Sequence, residues 1–192
     1  MDAVSSSVEV DASPEVVYAY AADLSHFPEW AKPLIGDVHR KELAQQTSTH
    51  LTREDPIGRG AGIRFAVGQR SQRYPWMDLT IVEADPGERL VLAGRGGKFN
   101  RVRSVTDLRL EPLDGGRRTR ATLSYASRTK LPTDRLFDRK AYFKRAWARS
   151  LKRLAKVAPE GARDTPPLGV AGGPRKPASG FHFGEPTPVR GR

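Results

Sequence analysis

The chain has 192 residues, 38% of them hydrophobic and 29% charged, with a formal net charge of +11. No apolar run reaches the roughly 18 residues that a membrane-spanning helix needs, and the absence of cysteine excludes disulfides, thiolate metal sites and thiol nucleophiles. Because the first residues lack the basic and apolar stretches of a secretory signal, we predict a single-domain cytoplasmic protein.

The excess positive charge is concentrated in one segment. Residues 1–132 contain 19 basic and 17 acidic residues, residues 133–157 nine and two, and residues 158–192 five and three. This distribution indicates one basic helix face and not a basic domain.

A strand and a helix are predicted at the start of the chain. In Val4–Val10, apolar and polar positions alternate, which is typical of a half-buried strand. Ser13 then suits a helix N-cap, Pro14 the first helical position and Glu15 the positive first turn. The buried side of this helix is predicted to consist of Val16, Val17, Tyr20 and Ala21.

A second short helix is predicted over residues 24–30, ending near Pro33, and residues 38–53 are predicted to contain one or two strands. Loop signals at residues 55–58, 85–88 and 114–116 then separate segments of alternating polarity, and the last of them predicts a hairpin turn. The inward positions of these strands are predicted to be Ile63, Phe65, Val67, Leu79, Ile81, Val102, Ser104, Thr106, Leu108, Leu110, Ala121, Leu123 and Tyr125.

The longest periodic element is a helix predicted over residues 133–157, with Thr133 as N-cap and Pro159 ending it. Its apolar stripe recurs at helical spacing and comprises Leu136, Phe143, Trp147, Leu151, Leu154 and Ala158. Its opposite face is basic and comprises Arg135, Arg139, Arg145, Arg149, Lys152, Arg153 and Lys156.

The end of the chain is predicted to be a disordered tail. Of the 35 residues 158–192, 14 are proline or glycine, and such a segment cannot bury enough surface to offset the entropy of ordering it. Phe181, His182 and Phe183 form one aromatic patch in it, either a docking motif or part of an unconstrained tail.

The element order is a strand, two short helices, about six antiparallel strands and a long helix. An antiparallel sheet with one wet face must cover the other face, and the C-terminal helix is the only predicted element long enough to do so. The fold class is therefore α+β, a curved antiparallel sheet of about six or seven strands around a long C-terminal helix, with a pocket between them.

Four segments carry a family resemblance: residues 12–18, 27–30, 81–90 and 148–154. In their order and spacing the chain resembles the START-like (SRPBCC) superfamily, which includes the Bet v 1 allergens and the polyketide cyclase/dehydrase and lipid-transport proteins. The resemblance implies a helix-grip domain over residues 1–158, with an interior cavity for a hydrophobic small molecule, and leaves residues 159–192 as a tail. It implies no particular reaction, because the superfamily contains both enzymes and carriers.

Aromatic and hydroxyl side chains on the predicted inner surfaces are the candidate ligand-binding residues, since ligand sites combine apolar walls with a few oriented polar groups. The alternative is that they are ordinary core residues. The candidates are Trp30, Phe65, Trp76, Ser104, Thr106, Tyr125, Phe143 and Trp147.

Other motifs give weaker signals. The four histidines are too far apart for a metal-binding motif, so neither a metal site nor a cofactor is predicted. His50 is predicted to be a solvated strand residue, with an internal polar anchor or general base as the alternative. Residues 95–98 (Arg-Gly-Gly-Lys) lack the spacing of a phosphate-binding loop and are predicted to be a flexible strand connection at the mouth of the cavity, together with Phe99 and Asn100.

The first functional hypothesis is binding of a hydrophobic or aromatic small molecule, such as a polyketide or lipid. The alternatives are a polyketide aromatase/cyclase, in which Tyr125 or an arginine polarises a carbonyl, and a protein-interaction module that uses the basic helix or the tail. Catalytic residues stay unassigned.

The basic helix face is predicted to be a solvated surface, with attraction to an anionic membrane as the alternative. Nucleic-acid binding is disfavoured, because the rest of the body is nearly neutral.

Overall fold

The computed structural model of the chain describes residues 3–35, 49–67, 76–97, 100–129, 140–161 and 168–170. The helices are α1 (Pro14–Ala22), α2 (Phe27–Trp30) and α3 (Lys140–Val157), and a short 3₁₀ turn, Leu24–His26, precedes α2. The strands are β1 (Val4–Val10), β2 (Thr49–Leu51), β3 (Gly62–Ala66), β4 (Trp76–Asp85), β5 (Arg89–Gly96), β6 (Val102–Leu113), β7 (Arg118–Thr129) and β8 (Gly169–Val170).

Within the described residues the strands form one sheet in the order β1-β7-β6-β5-β4-β3-β2-β8. The first seven strands in this order pair with their neighbours in antiparallel fashion, whereas β8 pairs with β2 in parallel. The register between β4 and β5 shifts between Ile81 and Glu83, and a bulge of this kind bends the strand that carries it. The predicted helix-grip architecture is confirmed.

The start of α1 is as predicted. Ser13 has extended backbone angles at the N-cap, although its side chain makes no capping hydrogen bond. Pro14 occupies the first turn, where its missing N–H leaves no bond unmade. The prediction for Val16 is wrong, since its side chain is 46% exposed. Val17, Tyr20 and Ala21 are spaced three and four residues apart and share one face, which lies about 100° around the helix from Val16.

The predicted hairpin between β6 and β7 is also present. Asp114, Gly115 and Gly116 all have positive φ angles, of 51°, 68° and 87°. Glycine adopts this region without the steric cost of a Cβ atom, so the two glycines allow β6 to turn directly into β7.

The core lies between one face of the sheet and the helices. Phe143, Trp147, Leu151, Leu154 and Ala158, the described members of the predicted stripe, are all buried. Helix α3 packs mainly across β1 and β7 and against α2. The predicted start of this helix, from Thr133, lies outside the described residues.

Two further predictions fall partly outside the described residues. Of residues 38–53, the structure shows one short strand, β2. Of the segment predicted as a tail, residues 159–161 and 168–170 are described, and Gly169 and Val170 pair with His50 and Leu51. The sequence pattern did not predict this strand. Among the described helices, none is long and apolar enough to span a membrane.

Candidate functional site

Six aromatic side chains form a continuous cluster between the inner face of the sheet and the helices. The ring centroids lie 5.3 Å apart for Phe65–Phe27, 5.1 Å for Phe27–Trp30, 6.1 Å for Trp30–Trp147, 6.3 Å for Trp147–Tyr125 and 4.9 Å for Tyr125–Phe143. All six rings are buried. The structure therefore brings together five of the eight predicted site residues, and Phe27 completes the series.

A hydrogen-bonded group at the end of α1 holds α2, and with it Trp30, against α3. The Tyr20 hydroxyl donates to Glu29 Oε2 at 2.5 Å, and His26 Nδ1 lies 3.2 Å from Glu29 Oε1. The rings of Tyr20 and His26 stack at 4.7 Å. From α3, Arg153 Nε donates to the backbone oxygen of Glu29. These bonds tie the two helices that carry the indoles of the cluster.

Five polar atoms next to this cluster are buried and have no hydrogen-bond partner among the described residues. They are Trp30 Nε1, Ser104 Oγ, Thr106 Oγ1, Trp147 Nε1 and Ser150 Oγ. A buried donor or acceptor without a partner costs about 1–3 kcal/mol of stability, and proteins leave few of them unpaired. Two indole donors and three hydroxyls are thus available to an acceptor that is not part of the described chain.

The hydroxyls of Ser104 and Thr106 lie on β6, two residues apart and therefore on the same inner face. Thr106 is the direct cross-strand partner of Tyr125 on β7. Trp147 and Ser150 are three residues apart on α3, so they project from one side of that helix. The sheet and the helix therefore present polar atoms to the same aromatic region.

Ser104 fits against β5 because its neighbour there is Gly94. A Cβ atom at position 94 would lie 2.1 Å from Ser104 Oγ and 3.0 Å from Leu79 Cδ2. Since real Cβ atoms do not approach other atoms so closely, the glycine leaves the space that the Ser104 hydroxyl occupies.

Thr119 shows the usual arrangement of a buried hydroxyl in the same sheet. It is fully buried, and its Oγ1 donates to the backbone oxygen of Ala12 at 2.7 Å. Thr106 is about as deeply buried, but its hydroxyl has no hydrogen-bond partner among the described residues.

Trp76 is the predicted site residue that the structure places apart. It begins β4, one position before Met77, and the burial of this strand alternates so that Met77, Leu79 and Ile81 face inward. Trp76 therefore belongs to the opposite face of the sheet, with Asp78 and Thr80.

His50 also lies on the outer face, since it stands between the buried residues Thr49 and Leu51 on β2. This agrees with the predicted surface role and not with a general base in the interior. Within the described residues, no group of three or more histidines and carboxylates could hold a metal ion.

Of the segment 95–98, the described residues 95–97 form the end of a strand and the first residue after it, so Arg95 and Gly96 are strand residues and not part of a flexible connection. Arg95 and Gly96 pair with Arg103 and Val102 at the end of β5. Gly97, with a φ of 72°, leads the chain out of the strand. Lys98 and Phe99 lie outside the described residues.

Ser150 and Phe27 are the site residues that sequence reasoning missed. Position 150 is three residues after Trp147 and seven after Phe143, so helical spacing alone places it on the buried stripe. Because serine is small and polar, a search for apolar residues at helical spacing does not include it. Phe27 stands in the motif that carries the family resemblance, but no periodic pattern marks its side chain as part of the site.

The described part of the predicted basic face of α3 is present, whereas Arg135 and Arg139 lie outside the described residues. Arg145, Arg149, Lys152, Arg153 and Lys156 are all exposed. Attraction of this basic face to an anionic membrane remains a prediction.

The fold and the aromatic region define a helix-grip domain, in which a curved antiparallel sheet holds a long C-terminal helix against its inner face. The chain belongs to the polyketide cyclase/dehydrase and lipid transport family, which it matches over residues 1–159. None of the curated proteins matches it.

Solved structures share the fold at low sequence identity. The aromatase/cyclase Zhui from Streptomyces sp. R1128 has a TM-score of 0.60 and 18% identity, over 85% of this chain and 96% of that one. Norcoclaurine synthase from Thalictrum flavum, solved with dopamine and hydroxybenzaldehyde, has a TM-score of 0.60 and 12% identity, over 85% and 89%. The protein TTHA0849 from Thermus thermophilus has a TM-score of 0.55 and 18% identity, over 84% and 100%.

Proposed function

We propose that this protein binds a hydrophobic, carbonyl-bearing small molecule, of aromatic or polyketide type, between the inner face of the sheet and α3. The observation that carries the proposal is the group of five buried polar atoms without a partner among the described residues. Family membership and the ligands named in the norcoclaurine synthase complex support the same class of ligand.

The chemistry of the five atoms favours an acceptor. Indole N–H groups donate only, and hydroxyls donate or accept. A ligand carbonyl placed between Trp147 on α3 and Thr106 on β6 would receive hydrogen bonds from two buried atoms that have no partner within the described part of the chain. Stacking on the aromatic rings supplies the rest of the binding free energy, at roughly 25 cal/mol per Å² of apolar surface buried.

The buried side chains of polar residue types among the described residues are all serines and threonines. They are Thr49, Ser104, Thr106, Thr119, Ser127 and Ser150. Serine and threonine hydroxyls hold a carbonyl in place but do not act as general bases near neutral pH without an adjacent base. Binding is therefore the proposed activity, and ring closure of a polyketide chain is the alternative.

A matched pair of ligands tests the proposal. Fluorenone and fluorene share one tricyclic skeleton, and only fluorenone carries a carbonyl. Trp30 and Trp147 lie in the site, so tryptophan fluorescence reports the dissociation constant of each ligand. We expect fluorenone to bind about 2- to 10-fold more tightly, which corresponds to one net hydrogen bond.

Two outcomes would contradict the proposal: no saturable binding of either ligand, or equal affinity for both. Native mass spectrometry of the purified chain gives an independent test, because a bound molecule adds its mass to the folded protein and not to the denatured one. Incubation with an acyl-carrier-bound polyketide mimic separates the alternatives, since a carrier returns it unchanged and a cyclase releases a ring-closed product.

A further inference from the structure

A row of charged residues crosses the outer face of the sheet. Arg64 on β3 pairs in register with Asp78 on β4, Asp78 with Arg95 on β5, Arg95 with Arg103 on β6, and Arg103 with Arg128 on β7. Neighbouring strands are about 4.8 Å apart, so the row extends for roughly 19 Å. It contains four arginines and one aspartate. We call it the arginine row.

The arginine row places like charges side by side. Arg103 is the direct cross-strand neighbour of Arg95 on one side and of Arg128 on the other. Like charges in such positions are destabilising. Burial lowers the pKa of Arg95, and the charge of Arg103 lowers it further, with Asp78 acting in the opposite direction. The sheet thus keeps a local excess of positive charge at this end.

The other end of the same face is built differently. Arg89 contacts Asp107 at 2.9 Å and Glu83 at 2.8 Å, and Arg109 contacts Asp107 at 3.4 Å. On β7, Arg120 lies 3.9 Å from a carboxylate oxygen of Glu9. Each of these arginines has a carboxylate of the protein beside it, whereas the five residues of the arginine row contain one carboxylate, Asp78, for four arginines.

Next to the arginine row runs a second row, of small uncharged residues. In register these are Thr80, Ala93, Val105 and Ala126, all of them partly exposed. A chain segment can approach the sheet closely over such side chains while its charged side chains reach the neighbouring arginines.

We propose that the outer face of β5, β6 and β7 is a docking surface for an acidic segment of a partner protein. Carboxylates of that segment would pair with Arg95, Arg103 and Arg128, and its backbone would cross the small uncharged row. The proposal concerns the face of the sheet opposite the ligand site and does not depend on the proposed ligand.

The structure favours carboxylates over a lipid surface. Within the arginine row, Arg64 already holds a carboxylate with two bonds, Nε to Asp78 Oδ1 at 2.7 Å and Nη2 to Oδ2 at 3.3 Å, the paired geometry that arginine favours. A charged row one residue wide suits a polypeptide chain, whereas a membrane presents a plane of charge.

The test compares two double variants of the full chain with equal changes in net charge. Arg103→Gln/Arg128→Gln alters the arginine row. Arg109→Gln/Arg120→Gln alters the same two strands on the same face, at the end where charges are balanced. The probe is a fluorescein-labelled peptide of alternating glutamate and alanine, and its binding is followed by fluorescence anisotropy at low ionic strength. Phosphatidylglycerol vesicles and a single-stranded oligonucleotide are tested in parallel.

We expect Arg103→Gln/Arg128→Gln to weaken peptide binding about tenfold and Arg109→Gln/Arg120→Gln to change it less than twofold. Equal weakening by both variants would overturn the proposal, because it would show a response to net charge alone. Vesicle or oligonucleotide binding that depends on the arginine row, without peptide binding, would also overturn it.

Thermal unfolding supplies a second readout. Since Arg103 and Arg128 repel each other, their neutralisation is expected to leave the melting temperature unchanged or to raise it. A lower melting temperature for Arg103→Gln/Arg128→Gln than for Arg109→Gln/Arg120→Gln would show that the row serves stability, and would count against docking.

Discussion

The two faces of strands β2 to β7 are lined by residues that are adjacent in the sequence of each strand. The inner row consists of Leu51, Ile63, Leu79, Gly94, Ser104 and Ser127, and the outer row of His50, Arg64, Asp78, Arg95, Arg103 and Arg128. Strand alternation alone separates the two sets.

Each face also keeps a feature that costs stability. On the inner face, the hydroxyls of Ser104 and Thr106 lack partners among the described residues, as do the indoles of the helices packed over them. On the outer face, like charges are direct neighbours. Departures of this kind from the best packing and pairing are expected where a protein meets another molecule. Our two proposals follow this comparison: a small ligand at the inner face and an acidic partner at the outer face.

The largest expected effect comes from removing the centre of the inner cluster. Trp147→Ala deletes a buried indole that contacts Trp30, Phe27 and Tyr125, and should lower the free energy of unfolding by about 3–5 kcal/mol. Arg149→Ala, on the exposed side of α3, should change it by less than about 0.5 kcal/mol. Urea unfolding measures both, and similar losses in the two variants would contradict the inward orientation of Trp147.

A smaller effect is expected at the contact between Gly94 and Ser104. Gly94→Ala places a methyl group where the Ser104 hydroxyl lies, and overpacking of this kind costs about 1–3 kcal/mol. The double variant Gly94→Ala/Ser104→Ala removes the clashing oxygen and should recover part of the lost stability. If the second substitution recovers nothing in urea unfolding, the described contact is not the source of the cost.

Two threonines on the inner face separate a paired from an unpaired hydroxyl. Thr119→Val removes the hydrogen bond to Ala12 and leaves a carbonyl unsatisfied, so it should cost about 1–3 kcal/mol. Thr106→Val removes an oxygen without a partner among the described residues and should leave the melting temperature unchanged or higher. Equal destabilisation of both variants in thermal unfolding would show that Thr106 has a structural partner.

The smallest effects are expected in the pH dependence of stability. Burial raises the pKa of Asp78, against the opposing effect of Arg64. For Asp107, burial acts in the same direction but is outweighed by the hydrogen bonds and charges of Arg89 and Arg109, so its pKa is lowered. The two carboxylates on the outer face therefore titrate with opposite effects on folding.

The direction of each change in stability with pH follows from the linkage between proton binding and folding. A raised pKa in the folded state favours folding at low pH, so wild type should lose stability relative to Asp78→Asn as the pH rises through the folded pKa. A lowered pKa in the folded state has the opposite effect. Wild type should therefore gain stability relative to Asp107→Asn as the pH rises through the acidic range. Urea unfolding of the three proteins at several pH values measures both differences. A change of the same sign for both variants would contradict these assignments.

The architecture could be predicted from the sequence because its signals are local. Alternation over Val4–Val10, the cap at Ser13 and the stripe from Phe143 to Leu154 each specify one element, and a single long helix is available to cover the sheet. The strand β8 could not be predicted, because two residues within a segment rich in proline and glycine carry no periodic signal.

The site was only partly predictable for related reasons. Alternation placed Ser104 and Thr106 on the inner face, but nothing in the sequence shows whether a buried hydroxyl finds a partner. The aromatic character of Trp76 suggests a site residue, but its position next to the inward-facing Met77 on the strand places it on the other face of the sheet. The arginine row depends on cross-strand register, which is set by the loops and the bulge in β4 and not by any one segment.

The ratio of fluorenone to fluorene affinity in wild type, Thr106→Val and Thr119→Val tests the central claim most directly. Our account predicts that wild type and Thr119→Val prefer the ketone by about 2- to 10-fold, and that Thr106→Val loses part of this preference while remaining as stable as wild type. An unchanged preference in Thr106→Val, or a loss equally large in Thr119→Val, would contradict a direct contact between the Thr106 hydroxyl and the ligand.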